Sequence, residues 1–147
     1  MFPPFDPEGN LPAGIHPADW TEVSERFGFN AHRVYLLGGL LRALQNLRGA
    51  GCGLAYLDGS FVSSKPNPSD FDGCWETTGV DLTKVDPVLK TFANRRALQK
   101  AKYFGELFPA GLAADQNGRV FLDFFQIDKF TGQAKGIVAM QLVGLPR

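Results

Sequence analysis

The chain has little of several features that would place a protein quickly in a class. Its 147 residues include two cysteines, Cys52 and Cys74, which form neither a disulfide framework nor a zinc-ribbon spacing. We therefore expect two buried thiols and a reducing, cytoplasmic location. Fifteen basic and fifteen acidic side chains cancel. This balance argues against a global field that draws the protein onto nucleic acid or a membrane surface.

Long apolar runs are also missing from the sequence. No stretch reaches the roughly 18 residues that a membrane-spanning helix needs. The first residues lack the basic segment and apolar run of a signal peptide, so we expect neither a secretory leader nor a membrane partner. By contrast, hydrophobic residues make up 44% of the chain and thirteen of them are phenylalanine, which is enough for a folded core.

Prolines are concentrated near the start, where five of the ten lie in the first seventeen residues. Because proline fixes φ and removes a backbone donor, residues 1–29 are predicted to form a Pro-rich extended arm and a short helix that packs on the body. Asp19 and Glu22 predict a capping box at the start of that helix, and Gly28 predicts its end. Residues 30–147 are predicted to form the main domain.

The pattern of the main domain predicts an α+β fold with a mixed β-sheet flanked by helices. Asn30 is the expected cap of a long helix, in which Gly38 and Gly39 are expected to let another backbone approach closely. Two strands and a third helix follow. Pro109 limits the next segment to an edge strand, and residues 119–128 predict a strong strand before the last one.

The most informative stretch is Leu57–Glu76, LDGSFVSSKPNPSDFDGCWE. Side chains alternate along a strand, so Asp70 and Asp72 are expected to share a face. Two neighbouring carboxylates repel each other unless a positive charge lies between them, and Mg²⁺ prefers carboxylate oxygens together with substrate phosphate. A turn at Gly59 and Ser60 offers backbone N–H groups and a hydroxyl to phosphate oxygens. Pairing of the two strands would bring this turn to the carboxylates.

The order of these residues resembles the DNA polymerase beta-like nucleotidyltransferase superfamily, whose signature is a hydrophobic strand, Gly-Ser, a spacer, and Asp-hydrophobic-Asp. Here nine residues separate Ser60 from Asp70 in the "DFD" motif. The resemblance covers about residues 30–128 and implies a third carboxylate on a later strand, for which Asp123 in "VFLDFF" matches by order. The N-terminal arm is similar to that of small bacterial proteins grouped with the minimal nucleotidyltransferases of toxin–antitoxin and defence operons.

This resemblance implies a nucleotidyltransferase-like fold and a metal-dependent activity. A nucleoside monophosphate would pass from a nucleoside triphosphate to a hydroxyl of an RNA, a protein or a small molecule, with Mg²⁺ or Mn²⁺ as cofactor. A cognate operon protein is an implied partner. The implied residues are Asp70, Asp72 and Asp123 for catalysis and metal binding, and Gly59, Ser60 and Lys65 for the nucleotide.

Two positions depart from the pattern of the minimal enzymes and keep a second function open. Ser63 stands where those proteins often carry an arginine, and Gly73 follows the second aspartate in place of a hydrophobic residue. The alternative is a catalytically weak or inactive nucleotidyltransferase-fold binding module, such as an antitoxin or scaffold. In other interpretations, Asp70 and Asp72 cap a solvated loop or start a calcium loop, although the closing Glu of a calcium loop is missing. The basic run at residues 95–102 would meet phosphates or form a solvated face.

Overall fold

A computed structural model describes residues 2–128 and 130–147. This part of the chain forms an α+β arrangement, with an open mixed sheet of five strands and four helices. None of these helices is both long enough and apolar enough to span a membrane. The strands are β1 (Gly14–Ala18), β2 (Leu54–Asp58), β3 (Phe71–Trp75), β4 (Gly105–Pro109) and β5 (Gly136–Gln141), and the helices are α1 (Trp20–Phe27), α2 (Ala31–Gly49), α3 (Ala93–Tyr103) and α4 (Phe121–Phe124).

The strand order across the sheet is β1-β5-β2-β3-β4. The central strand β2 pairs antiparallel with both β3 and β5, while each edge strand runs parallel to its neighbour. The predicted pairing of the two strands that flank the Gly-Ser turn is therefore confirmed. Strand β4, which ends at Pro109, is an edge strand, as the proline predicts.

The N-terminal arm packs on the body, and it also contributes strand β1, which the sequence pattern did not predict. Helix α1 follows, with the expected capping box between Asp19 and Glu22 and an end at Gly28. The Phe2 ring lies against Phe27, with 5.1 Å between the ring centroids. The arm thus docks by both sheet hydrogen bonds and aromatic packing.

The sheet divides the core into two layers. Helices α1 and α2 cover one face, where Leu57 and Trp75 are fully buried. On the other face, Phe108 of β4 stacks on Phe121 with 4.0 Å between ring centroids, and Phe125 is buried beside them. Next to this aromatic layer, a cavity lies at the sheet end where β2 finishes and β3 and β4 begin.

The strand predicted at residues 119–128 is wrong, because this segment contains the short helix α4. Its phenylalanines at positions 121, 124 and 125 follow the i, i+3, i+4 spacing of one helical side, and that side packs on the aromatic layer. Burial of these rings outweighs the strand preference of the aromatic residues. Asp123 lies on the remaining, exposed side of the helix.

Paired glycine substitutions test the contact between α2 and the end of α3. A Cβ at Gly39 would lie 2.0 Å from the Tyr103 carbonyl oxygen, whereas one at Gly38 would meet nothing within 4 Å. The predicted close approach is therefore confirmed for Gly39 and wrong for Gly38. We expect Gly39→Ala to lower the free energy of unfolding by about 1–3 kcal/mol, because the backbones must separate. Gly38→Ala should raise it by roughly 1 kcal/mol. Urea unfolding measures both, and equal effects of the same sign would contradict this account.

Candidate functional site

Acidic side chains lie side by side where β2 ends and where β3 and β4 begin. Asp58 of β2 is opposite Asp72 of β3, and Asp72 is opposite Glu106 of β4. Residues paired across neighbouring strands point to the same face of a sheet, so these three carboxylates share one face. Asp70 lies two residues before Asp72 and joins them. We call these four residues the acidic row.

Two glycines allow this close arrangement. A Cβ at Gly73 would lie 2.2 Å from the Tyr56 carbonyl oxygen, so the residue after Asp72 must be small for β2 and β3 to pair. Gly59 has φ +78°, and its Cβ would lie 2.5 Å from Oδ2 of Asp72. The predicted closeness of the Gly59-Ser60 turn to the carboxylates is therefore confirmed, and glycine is required there for both space and backbone conformation.

A buried arginine holds this turn from behind. The Arg33 side chain is fully buried in α2, and burial lowers the pKa of its guanidinium to about 10. Sequence reasoning missed this residue, although it interrupts an otherwise apolar helical face. Its guanidinium donates hydrogen bonds of 2.7–3.1 Å to the carbonyl oxygens of Phe27, Ser60, Phe61, Ser63 and Lys65.

Ser63, which stands where minimal nucleotidyltransferases often carry an arginine, has a structural contact here. Its hydroxyl donates to the Ser60 carbonyl oxygen at 2.6 Å and accepts from the Lys65 N–H at 3.2 Å. The side chain is buried and closes the short 3₁₀ turn that starts at Gly59. Any cation for a phosphate at this turn must therefore come from another position.

Burial raises the pKa values of Asp58, Asp70 and Asp72 in the row, and neighbouring like charges add to the shift at Asp70 and Asp72. Burial, followed by the charges of Asp70 and Glu106, raises the pKa of Asp72 to about 9. Burial and the Glu106 charge also raise the pKa of Asp70. Burial raises the pKa of Asp58, although the Lys135 ammonium 3.2 Å away opposes this shift. The row therefore favours bound protons or a bound cation over four free charges.

Two cations of α3 already contact the outer end of the row. Arg96 Nε lies 2.7 Å from a Glu106 carboxylate oxygen. Lys100 Nζ lies 3.7 Å from the same oxygen and 3.9 Å from Asp70. The basic run predicted on this helix therefore meets the carboxylates of the protein itself, and part of its charge is neutralised there.

The start of α3 has an uncommon backbone conformation. Asn94, Arg95 and Arg96 have φ values of 53°, 56° and 60°, so the third predicted helix contains a left-handed turn. For residues other than glycine this conformation costs about 1–2 kcal/mol each. Strain of this kind persists where surrounding contacts outweigh it, and the ion pair between Arg96 and Glu106 is one such contact.

A cavity of about 540 Å³ opens beside the row. It brings together four of the predicted site residues. Asp70 is outside the wall, although its charge acts on Asp72. The predicted residues in the wall are Gly59, Ser60, Lys65 and Asp72, joined by Asp58, Glu106, Lys135 and the aromatic side chains of Phe124 and Phe125.

The prediction that Asp123 faces Asp70 and Asp72 across adjacent strands is wrong. Asp123 lies in α4 rather than on a strand, is exposed, and is not part of the cavity wall. Glu106 holds the neighbouring position instead. The sequence pattern predicted its segment only as a short edge strand limited by Pro109 and did not single out Glu106. The usable signal was its place after α3, because a strand that follows a helical crossover normally pairs in parallel with the preceding strand.

The carboxylates of the acidic row suit a metal ion that binds together with a phosphate group. Among residues 2–128 and 130–147, no group of three or more His, Cys, Asp or Glu side chains is already arranged to hold an ion. Mg²⁺ is commonly bound by one or two carboxylates together with substrate phosphates and water. Asp70 and Asp72 supply such carboxylates, and the raised pKa of Asp72 reflects a crowding that a cation would relieve.

Comparison with known proteins places the chain in a family without an assigned activity. Residues 3–141 match the family of unknown function DUF6932. The chain belongs to this family. Searches of curated proteins and of solved structures find no match.

The pH dependence of stability tests the crowding at Asp72. Its pKa is about 9 in the folded protein against an ordinary value of 3.8, so folding favours the protonated carboxyl. This contribution is complete below about pH 4 and is lost as the pH rises towards about 9. We expect Asp72→Asn, which cannot ionise, to lose less unfolding free energy over that range than the wild type in urea titrations without metal.

Asp123→Asn is the matched control, because Asp123 is exposed and outside the cavity. It should follow the wild-type pH profile. Addition of Mg²⁺ above neutral pH should stabilise the wild type and the control, but not Asp72→Asn. A parallel pH profile for the wild type and Asp72→Asn would show that Asp72 is not crowded in the folded protein.

Proposed function

We propose that the protein is a metal-dependent nucleotidyltransferase that moves a nucleoside monophosphate from a nucleoside triphosphate to a hydroxyl group. One observation carries the proposal. The acidic row and the Gly59-Ser60 turn meet at one cavity, where Asp72 Oδ2 comes within 2.5 Å of the place a Gly59 Cβ would occupy. Metal carboxylates and a phosphate-binding turn in contact are what transfer from a triphosphate requires. The acceptor class remains an RNA, a protein or a small molecule.

The residues have distinct tasks in this proposal. Asp70 and Asp72 would hold Mg²⁺ or Mn²⁺ together with the triphosphate. The bound metal supplies charge stabilisation for the attacking and leaving oxygens of an in-line displacement. Ser60 presents its hydroxyl and backbone N–H to phosphate oxygens, Gly59 lets the turn lie against Asp72, and Arg33 keeps the turn in place from the far side. The acceptor oxygen bonds to the α-phosphorus, and pyrophosphate leaves.

Glu106 takes the role of third carboxylate, which the sequence pattern gave to Asp123. Its carboxyl is within hydrogen-bonding reach of Asp72, and it extends the row on the adjacent strand. It is therefore suited to receive the proton that the acceptor hydroxyl loses. Arg96 and Lys100 contact the same carboxylate without metal. They would have to loosen their contact before Glu106 could act.

That contact also favours a second candidate function, a binding module without turnover. Arg96 at 2.7 Å from Glu106 neutralises the third carboxylate, and Ser63 contributes hydrogen bonds but no charge. A protein of this type would bind a nucleotide or an operon partner through the same cavity and release no pyrophosphate. Such a module would fit an antitoxin or a scaffold.

Pyrophosphate release from the four nucleoside triphosphates with Mg²⁺ separates the two functions. The assay is run with and without bulk RNA, and labelled products are sought on RNA, on protein and on small molecules. We expect release by the wild type, and background levels for Asp72→Asn and Glu106→Gln, because each removes a carboxylate of the row. Asp123→Asn should retain wild-type activity. Loss of activity in Asp123→Asn together with full activity in Glu106→Gln would restore the original assignment.

Titration with a nonhydrolysable nucleoside triphosphate analogue and Mg²⁺ tests the phosphate turn. Ser60→Ala should weaken binding by roughly 1.5–3 kcal/mol, the contribution of a hydrogen bond to a charged group. Gly59→Val should abolish binding, since its side chain would enter the space of the Asp72 carboxylate and the residue has φ +78°. Thermal melting of each variant serves as the folding control. Full binding by Ser60→Ala would place the phosphates elsewhere, and no binding by the wild type at millimolar concentration would remove the enzyme proposal.

A further inference from the structure

Lys135 occupies the side of the cavity that adjoins β5. It directly precedes β5, and its backbone N–H donates to the Gln126 carbonyl oxygen at 2.8 Å. Its side chain lines the same cavity as Ser60 and Asp72, and is only 23% exposed. The side chain is therefore mostly buried in the cavity wall. Nothing in the sequence pattern predicted a role for this lysine.

Asp58 orients this lysine. The Asp58 side chain is 6% exposed, and its Oδ1 lies 3.2 Å from Lys135 Nζ. Because Asp58 is paired with Asp72 across β2 and β3, the anchored ammonium lies on the same face as the metal carboxylates. A buried ion pair adds little net stability compared with apolar packing, so stability alone does not explain a lysine in a polar cavity.

The other cations near the site are placed differently. Arg96 and Lys100 contact the β4 end of the row through Glu106. Lys65 lines the cavity, but it lies in an exposed part of the loop after the turn. Lys135 is largely buried, its ammonium is held by Asp58, and it lines the same cavity as Ser60. A positioned cation loses little additional side-chain freedom when it binds an anion.

We propose that Lys135 is the principal cation that binds the triphosphate, with Asp58 as its positioning residue. The proposal rests on the proposed function and extends it to this residue. Lys135 would supply the positive charge that minimal nucleotidyltransferases often obtain from an arginine at the position of Ser63. The Lys135 ammonium would contact phosphate oxygens beside the Gly59-Ser60 turn, whichever base the nucleotide carries.

Inorganic tripolyphosphate with Mg²⁺ is the probe, because it carries the phosphates without a base or sugar. Titration calorimetry should show binding to the wild type and a loss of about 10- to 100-fold in Lys135→Met. Lys135→Arg should recover most of the affinity, since it keeps the charge. Lys84→Met is the control, because Lys84 is exposed and outside the cavity.

Lys135→Met leaves Asp58 buried without its cation and could reduce stability. The double variant Asp58→Asn/Lys135→Met removes both charges and should fold while still binding tripolyphosphate weakly. Wild-type affinity in a folded Lys135→Met or in the double variant would overturn the role of Lys135 and leave the proposed function intact. A larger loss in Lys65→Met than in Lys135→Met would also overturn it. No binding by the wild type would overturn both proposals.

Discussion

Like charges held side by side on one face of a sheet are the constraint around which this structure is arranged. The antiparallel register of β2 and β3 places Asp58 opposite Asp72, and the parallel register of β3 and β4 adds Glu106. Carboxylates this close do not all ionise without compensation. The protein compensates at both ends of the row, with Lys135 beside β5 and with Arg96 and the neighbouring Lys100 on α3.

Buried hydrogen bonds, two glycines and a strained turn support the acidic row. Arg33 donates hydrogen bonds to five backbone carbonyl oxygens and fixes the turn beside the carboxylates. Gly73 lets the strands pair closely, and Gly59 lets the turn approach Asp72. The left-handed turn at residues 94–96 includes Arg96, which contacts Glu106. Backbone strain and a buried cation thus occur next to the cavity, where a functional site would use them.

A metal-bound nucleotide would change the charge balance of this cavity. Without one, the raised pKa of Asp72 favours a bound proton, and ion pairs offset the charges of Glu106 and Asp58. Metal at Asp70 and Asp72 would replace the proton, and phosphate oxygens would offer new partners to the lysine and arginine side chains. In our proposal, substrate binding therefore exchanges internal ion pairs for contacts with substrate. The same exchange without transfer of the nucleoside monophosphate would give a binding module.

Local features could be predicted from the sequence because they depend on neighbouring residues. The caps at Asp19 and Asn30 form through side chains that reach N–H groups three residues ahead. The alternation that puts Asp70 and Asp72 on one face follows from strand geometry alone. The nine-residue spacer after Ser60 is visible in the chain itself. These features were enough to locate the Gly-Ser turn beside the carboxylates.

The tertiary structure alone decided which distant residues complete the site. The strand preference around Asp123 was overridden by aromatic side chains at helical spacing that pack on Phe108, so that carboxylate faces solvent. Glu106, Lys135 and Arg33 reach the site through pairing and packing between segments far apart in sequence. Such contacts depend on the register and burial of the whole sheet, and no short sequence window carries that information.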